Sequence, residues 1–104
     1  MKLPKMKLSI AYDQGILEFR TCDKNLLSDG DHVRAEVVRY TDDVHNYTLA
    51  YWEQDDEGFD LRFVGGRPFK DEVDWNTFSQ LIRLGDILLT DEWNKNRGND
   101  ENTC

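Results

Sequence analysis

The apolar residues of this chain change period once. Between Lys7 and Val64 they recur at alternate positions, and from Trp75 onward they recur at every third or fourth. A period of two lines one face of a strand and a period near 3.6 lines one face of a helix. The chain therefore reads as strands first and a single helix last. That order predicts an α+β domain, an antiparallel sheet of about five strands with one C-terminal amphipathic helix packed on one face. A partly closed small barrel with a helical plug is the alternative.

The individual elements follow from local signals. KLSIAYDQGILEFRT, residues 7–21, reads as a hairpin. With Gln14-Gly15 at its tip, Tyr12 would face Leu17 and Ile10 would face Phe19. CDKNLLSDGD, residues 22–31, carries the residues of a loop, with Leu26 and Leu27 tucking back as a cap on the core. Strands are expected at 32–41, 47–54 and 58–64, joined by TDDVHN and DDEG. The last hairpin has two registers. A four-residue loop puts Trp52 on one face with Leu61, whereas a three-residue loop with a bulge at Gly58 puts Tyr51 on one face with Phe63. One of the two aromatics is thereby a candidate for exposure.

Gly65-Gly66-Arg67-Pro68 ends the sheet. A helix then starts near Asp74, which can cap it, with Val73 and Phe78 as a hydrophobic staple. Trp75, Phe78, Ile82, Gly85 and Leu89 form its apolar stripe, and Gly85 either breaks the helix or permits close approach to the sheet. From Asn94 the segment NKNRGNDENTC holds no aliphatic or aromatic residue. The expected organisation is a single domain over residues 1–93 and a disordered polar tail over 94–104.

Charge narrows the function classes. The 104 residues hold 13 Lys plus Arg against 21 Asp plus Glu, a net charge of −8. Lys2, Lys5 and Lys7 precede every acid, so residues 8–104 alone carry −11. A field of that sign opposes direct binding to nucleic acid and to anionic lipid and favours basic protein partners. No apolar run approaches the roughly 20 residues of a membrane span, and MKLPKMK lacks the apolar stretch of a signal peptide. With two cysteines, Cys22 and Cys104, read as free thiols, the expected compartment is the cytoplasm. Asn46-Tyr47-Thr48 matches a glycosylation acceptor but has no secretory context.

The acids are not spread evenly. Residues 41–60 contain Asp42, Asp43, Glu53, Asp55, Asp56, Glu57 and Asp60 and no Lys or Arg, and five of these acids fall within eight residues at one hairpin tip. A solvated turn is one explanation, a docking surface for a basic groove is another, and a divalent-cation loop is a third. DDEG lacks the alternating oxygen ligands and distant Glu of an EF-hand loop. Tyr47, Tyr51, Trp52 and Phe59 lie beside the acids, as aromatic anchors rimmed by charge do in interfaces. The expected partner-binding set is Asp42, Asp43, Tyr51, Trp52, Glu53, Asp55, Asp56, Glu57 and Asp60.

Other constellations carry less. RFVGGRPFK, with Arg62, Arg67 and Lys70, has glycines and bases but lacks the Lys plus Ser or Thr of a phosphate loop. Asp29, Asp31 and His32 could begin a zinc site, yet only the distant His45 or Cys22 could complete it. Cys22 with His32 is the one Cys–His pairing near in sequence, with nothing else to activate the thiol. No catalytic residue, metal site or cofactor is therefore expected, and the chain reads as a binding protein rather than an enzyme.

The expected function is that of an inhibitor or adaptor that docks on a basic, nucleic-acid-binding surface of a larger protein, partly imitating phosphate charge. Proteins of this size and charge are frequent among phage and mobile-element accessory genes, which would place it in the host cytoplasm. The alternatives are a small-ligand or cation-binding module and a self-associating structural subunit, so that the chain is a monomer or a small homo-oligomer.

Overall fold

The computed structural model describes residues 3–25, 32–40, 45–65 and 68–102. Five strands, β1 (Lys7–Tyr12), β2 (Gly15–Asn25), β3 (His32–Tyr40), β4 (Asn46–Asp55) and β5 (Gly58–Phe63), precede one helix, α1 (Glu72–Asn102). The strands pair in chain order as an antiparallel meander, with β1 and β5 at its edges. The helix lies on one face, as the change of period predicts.

The first hairpin turns one residue earlier than expected, at Asp13-Gln14, which slips the pairing by two. Tyr12 pairs with Gly15, Ile10 with Leu17 and Leu8 with Phe19. Gly15 is the cause: its φ is 139°, and a Cβ built there would lie 2.6 Å from the carbonyl oxygen of Tyr40. That position, beside a neighbouring backbone, needs glycine more than the turn tip does. A shift of two residues leaves every side chain on its expected face. Residues 22–25, expected in a loop, instead continue β2 beyond a register shift between Thr21 and Lys24. Leu26, Leu27, Asp29, Asp31, Gly66, Arg67 and Cys104 lie outside the described residues.

The last hairpin resolves in favour of Trp52. Asp55 pairs with Gly58 and Trp52 with Leu61, while Tyr51 faces Arg62 on the other side of the sheet. Trp52 has 0% of its surface exposed and packs edge-on against Phe19, ring centroids 5.4 Å apart. The buried Ala35 and Ala50 keep the middle of this face low, leaving room for the two large rings. Burying an indole of that size contributes on the order of 5 kcal/mol before conformational entropy is counted. Its Nε1 donates to Asp86 Oδ1 of the helix at 3.3 Å.

Helix and sheet approach closely at Gly85. A Cβ there would stand 2.7 Å from the Phe19 ring and 3.0 Å from Trp52. The helix runs straight through this residue, so glycine serves close approach and not a break. The buried face is Asp74, Phe78, Leu81, Gly85 and Leu89, with Trp75 and Ile82 half-buried beside it. Phe69, just before the helix, is also buried and stacks edge-on with both Tyr12 and Phe78.

The cap is Asp71 and not Asp74. Its Oδ1 accepts from the N–H groups of Val73 at 2.8 Å and Asp74 at 3.2 Å, two of the first-turn donors that lack helical partners. Val73 stays exposed and forms no staple. Burial, with Asp71 and Asp13 adding, holds the Asp74 carboxyl above the ordinary carboxylate range. At the other end the helix continues past Asn94, where a disordered tail is expected, as far as Asn102. Local contacts support its extension: Lys95 pairs with Asp91 at 3.2 Å and Glu92 at 3.6 Å, and Asn96 Nδ2 donates to the Glu92 carbonyl at 2.8 Å. Among the described residues, no helix is long and apolar enough to cross a membrane.

Candidate functional site

The acidic hairpin is built on a two-residue turn, Asp56-Glu57, closed by the Asp55–Gly58 pair. Asp55 organises it. Its Oδ1 accepts from the Glu57 N–H at 2.8 Å and the Gly58 N–H at 3.0 Å, the local bonding that makes Asp a turn residue. Gly58 follows with φ 141°, and a Cβ there would meet nothing within 4 Å. The tip therefore stands clear of the described body of the protein.

Electrostatically the tip is self-opposed. Asp55, Asp56, Glu57 and Asp60 are all exposed. The hydrogen bond from the Glu57 N–H, followed by one shared with Asp60, lowers the Asp55 carboxyl below its ordinary range. The bond shared with Asp55, and then the Asp55 charge, raises Asp60 above its own. Directly across the ladder Asp60 faces Glu53, so like charges also meet between strands. Arg62 Nε reaches Glu53 only at 3.9 Å, the limit of an ion pair.

Not all of the expected surface assembles. Glu53, Asp55, Asp56, Glu57 and Asp60 come together at one end of the β4–β5 hairpin. Trp52 must be withdrawn from the set, because it is enclosed in the core beneath the helix. Tyr51 is half-buried on the opposite face, level with Glu36 of β3 and Arg62 of β5. Asp42 and Asp43 lie outside the described residues. Of the Cys–His and zinc candidates, Cys22 Sγ donates to the Val33 carbonyl at 3.6 Å and His32 Nδ1 lies 3.2 Å from Asp23 Oδ1, while Asp29 and Asp31 lie outside the described residues. No three metal-capable side chains cluster among the described residues.

Sequence reasoning missed a second polar constellation, on the sheet face turned away from the helix. Glu18 and Glu36 are buried there, with Glu36 only 2% exposed. Arg20 ties them together: its Nη1 lies 3.5 Å from Glu18 Oε2, and its Nε donates to Glu36 Oε2 at 3.3 Å. Around this centre Tyr40 donates to Glu18 Oε2 at 3.0 Å, Ser9 to Glu18 Oε1 at 3.3 Å and Thr48 to Glu36 Oε1 at 2.9 Å. Lys7 adds an ion pair to Glu18 at 3.3 Å. Five donors from four strands thus converge on two carboxylates. Such a network fixes the register of the strands that carry it. The signal in the sequence was the alternation of Glu18 and Arg20 with apolar neighbours, but only the register shows that Glu36 joins them.

Comparison with family models, with curated proteins and with solved structures yields no match for this chain.

Proposed function

We propose that the protein is a small acidic binding module that docks on a basic surface of a larger protein through the tip of its β4–β5 hairpin. The observation that carries this reading is the gathering of Asp55, Asp56, Glu57 and Asp60 on one exposed tip, with Glu53 opposite Asp60 across the ladder. Asp55 closes the turn through its two backbone hydrogen bonds, but placing Asp56, Glu57, Asp60 and Glu53 around it adds like-charge repulsion that the hairpin does not need. A cationic partner would remove the repulsion and gain the attraction. The buried Glu18–Arg20–Glu36 network holds the register of β2 and β3 on which β4 and β5 are laid, so the tip is presented on a rigid support.

Electrostatic steering makes such an association salt-dependent. Capture from a lysate is run with the natural protein beside a variant carrying Asp55→Asn, Asp56→Asn, Glu57→Gln and Asp60→Asn. The expected result is a basic protein retained by the first and lost by the second, with an affinity that falls more than about threefold between about 50 and 500 mM salt. Equal retention by both baits would overturn the reading.

A further inference from the structure

The strand that carries the acidic hairpin is also an open edge of the sheet, and its side-chain pattern is self-complementary. Val64 N donates to the Leu49 carbonyl at 2.9 Å, so the even-numbered residues of this segment bond to β4. By the alternation of an antiparallel ladder, Phe59, Leu61 and Phe63 turn their N–H and C=O groups to the free side. Among the described residues no strand pairs there. On the helix side of the sheet Phe59, Leu61 and Phe63 form a row of large apolar side chains, Phe63 49% exposed. On the far side Asp60 and Arg62 alternate, both exposed.

We propose that β5 pairs with β5 of a second copy of this chain, antiparallel about a two-fold axis at Leu61. In that register Asp60 of each copy lies opposite Arg62 of the other, and Phe59 lies opposite Phe63. Both charged pairs across the seam are of opposite sign, and the apolar row closes on itself, as a two-fold interface requires. The helix lends its aromatic flank to the same border. Trp93 meets the Phe59 ring at 6.0 Å, and Phe78, beside Trp75, meets Phe63 at 6.2 Å. The other edge offers a poorer match, since β1 carries no acid and its Lys7 is already paired with Glu18 of β2. This inference shares Asp60 with the docking reading and is otherwise independent of it: the tip acids Asp55, Asp56 and Glu57 point out at the two ends of the seam and stay available, and Arg62→Asp tests the seam without changing a tip acid.

A charge swap tests it. Sedimentation equilibrium of the natural protein, over about two decades of concentration, is expected to show a reversible monomer–dimer equilibrium. Asp60→Arg alone or Arg62→Asp alone sets like charges opposite each other and raises the dissociation constant at least about tenfold. The double variant D60R/R62D restores opposite signs and returns it to within about threefold of the natural value. Circular dichroism checks that each variant is folded. Hydrogen exchange reads the same contact without substitution: the amides of Phe59, Leu61 and Phe63 are slowed at high concentration and fast at low. A natural protein that stays monomeric throughout, or single swaps that leave the dimer intact, would overturn the proposal.

Discussion

The two described hairpins share one backbone plan and put it to opposite uses. Each closes with a two-residue turn, Asp13-Gln14 or Asp56-Glu57, and each places a glycine next, at φ 139° for Gly15 and 141° for Gly58. The first tip is tied into the body. Gly15 presses on the Tyr40 carbonyl, and Arg39 Nη2, whose guanidinium also lies 5.9 Å from the centre of the Phe69 ring, donates to Gln14 Oε1 at 2.9 Å. The second tip touches nothing around its glycine and gathers acids. Where a turn is bound into the fold, its residues answer to packing; where it stands free, its composition is open to a task outside the molecule.

Substitution at the two glycines separates these situations. Gly15→Ala combines an unfavourable φ with a contact to a backbone oxygen that cannot move aside, and it is expected to destabilise the protein by about 3 kcal/mol. Gly58→Ala meets the same φ in open space and should cost about 1 kcal/mol. Urea unfolding of both variants measures the gap between them. Equal losses would mean that the Tyr40 contact relaxes freely and that the two tips do not differ in the way described.

The smallest effect concerns protons. Because the folded state raises the Asp60 carboxyl, that group holds its proton more tightly when folded, and its contribution to stability is lost as pH rises through the carboxylate range. Asp55 is lowered and acts in the opposite sense, its contribution present at higher pH and lost in acid. Asp60→Asn removes the first and keeps a hydrogen-bond donor for Asp55. The variant should melt slightly above the natural protein at neutral pH, and the difference should vanish in acid, where Asp60 is already protonated. Thermal melts from about pH 3 to about pH 7 resolve this. A constant offset would show that folding does not raise the Asp60 carboxyl.

How much of this was legible beforehand depends on which period carried the information. The period of two placed Leu17, Phe19, Ala35 and Val37 on the core face without reference to any turn. It could not locate the turn itself, since a slip of two residues preserves every face, and only the crowding at Gly15 decides between Asp13-Gln14 and Gln14-Gly15. Tyr51 and Trp52 were tied for the reverse reason, because a slip of one exchanges the faces and loop length alone settles it. Asp74 was the expected cap and Asp71 serves instead, because the start of a helix is uncertain by about a turn when read from the sequence. Of the candidate surface, the charge cluster at residues 53–60 was visible as a run. The Glu18–Arg20–Glu36 network was not, because its members lie on two strands and meet only through register.

Gly85 bears on how this domain avoids wrong structures. Between Trp75 and Asn96 it is the only glycine in α1, so the helix has one notch along its length where two large rings can pass beneath it. Sliding the helix by one turn in either direction would bring Leu81 or Leu89 over Phe19 and Trp52, a side chain where there is space for none. Competing helix placements of nearly equal hydrophobic content are thereby excluded by shape alone, and an apolar stripe that could have docked in several positions has a single resting place.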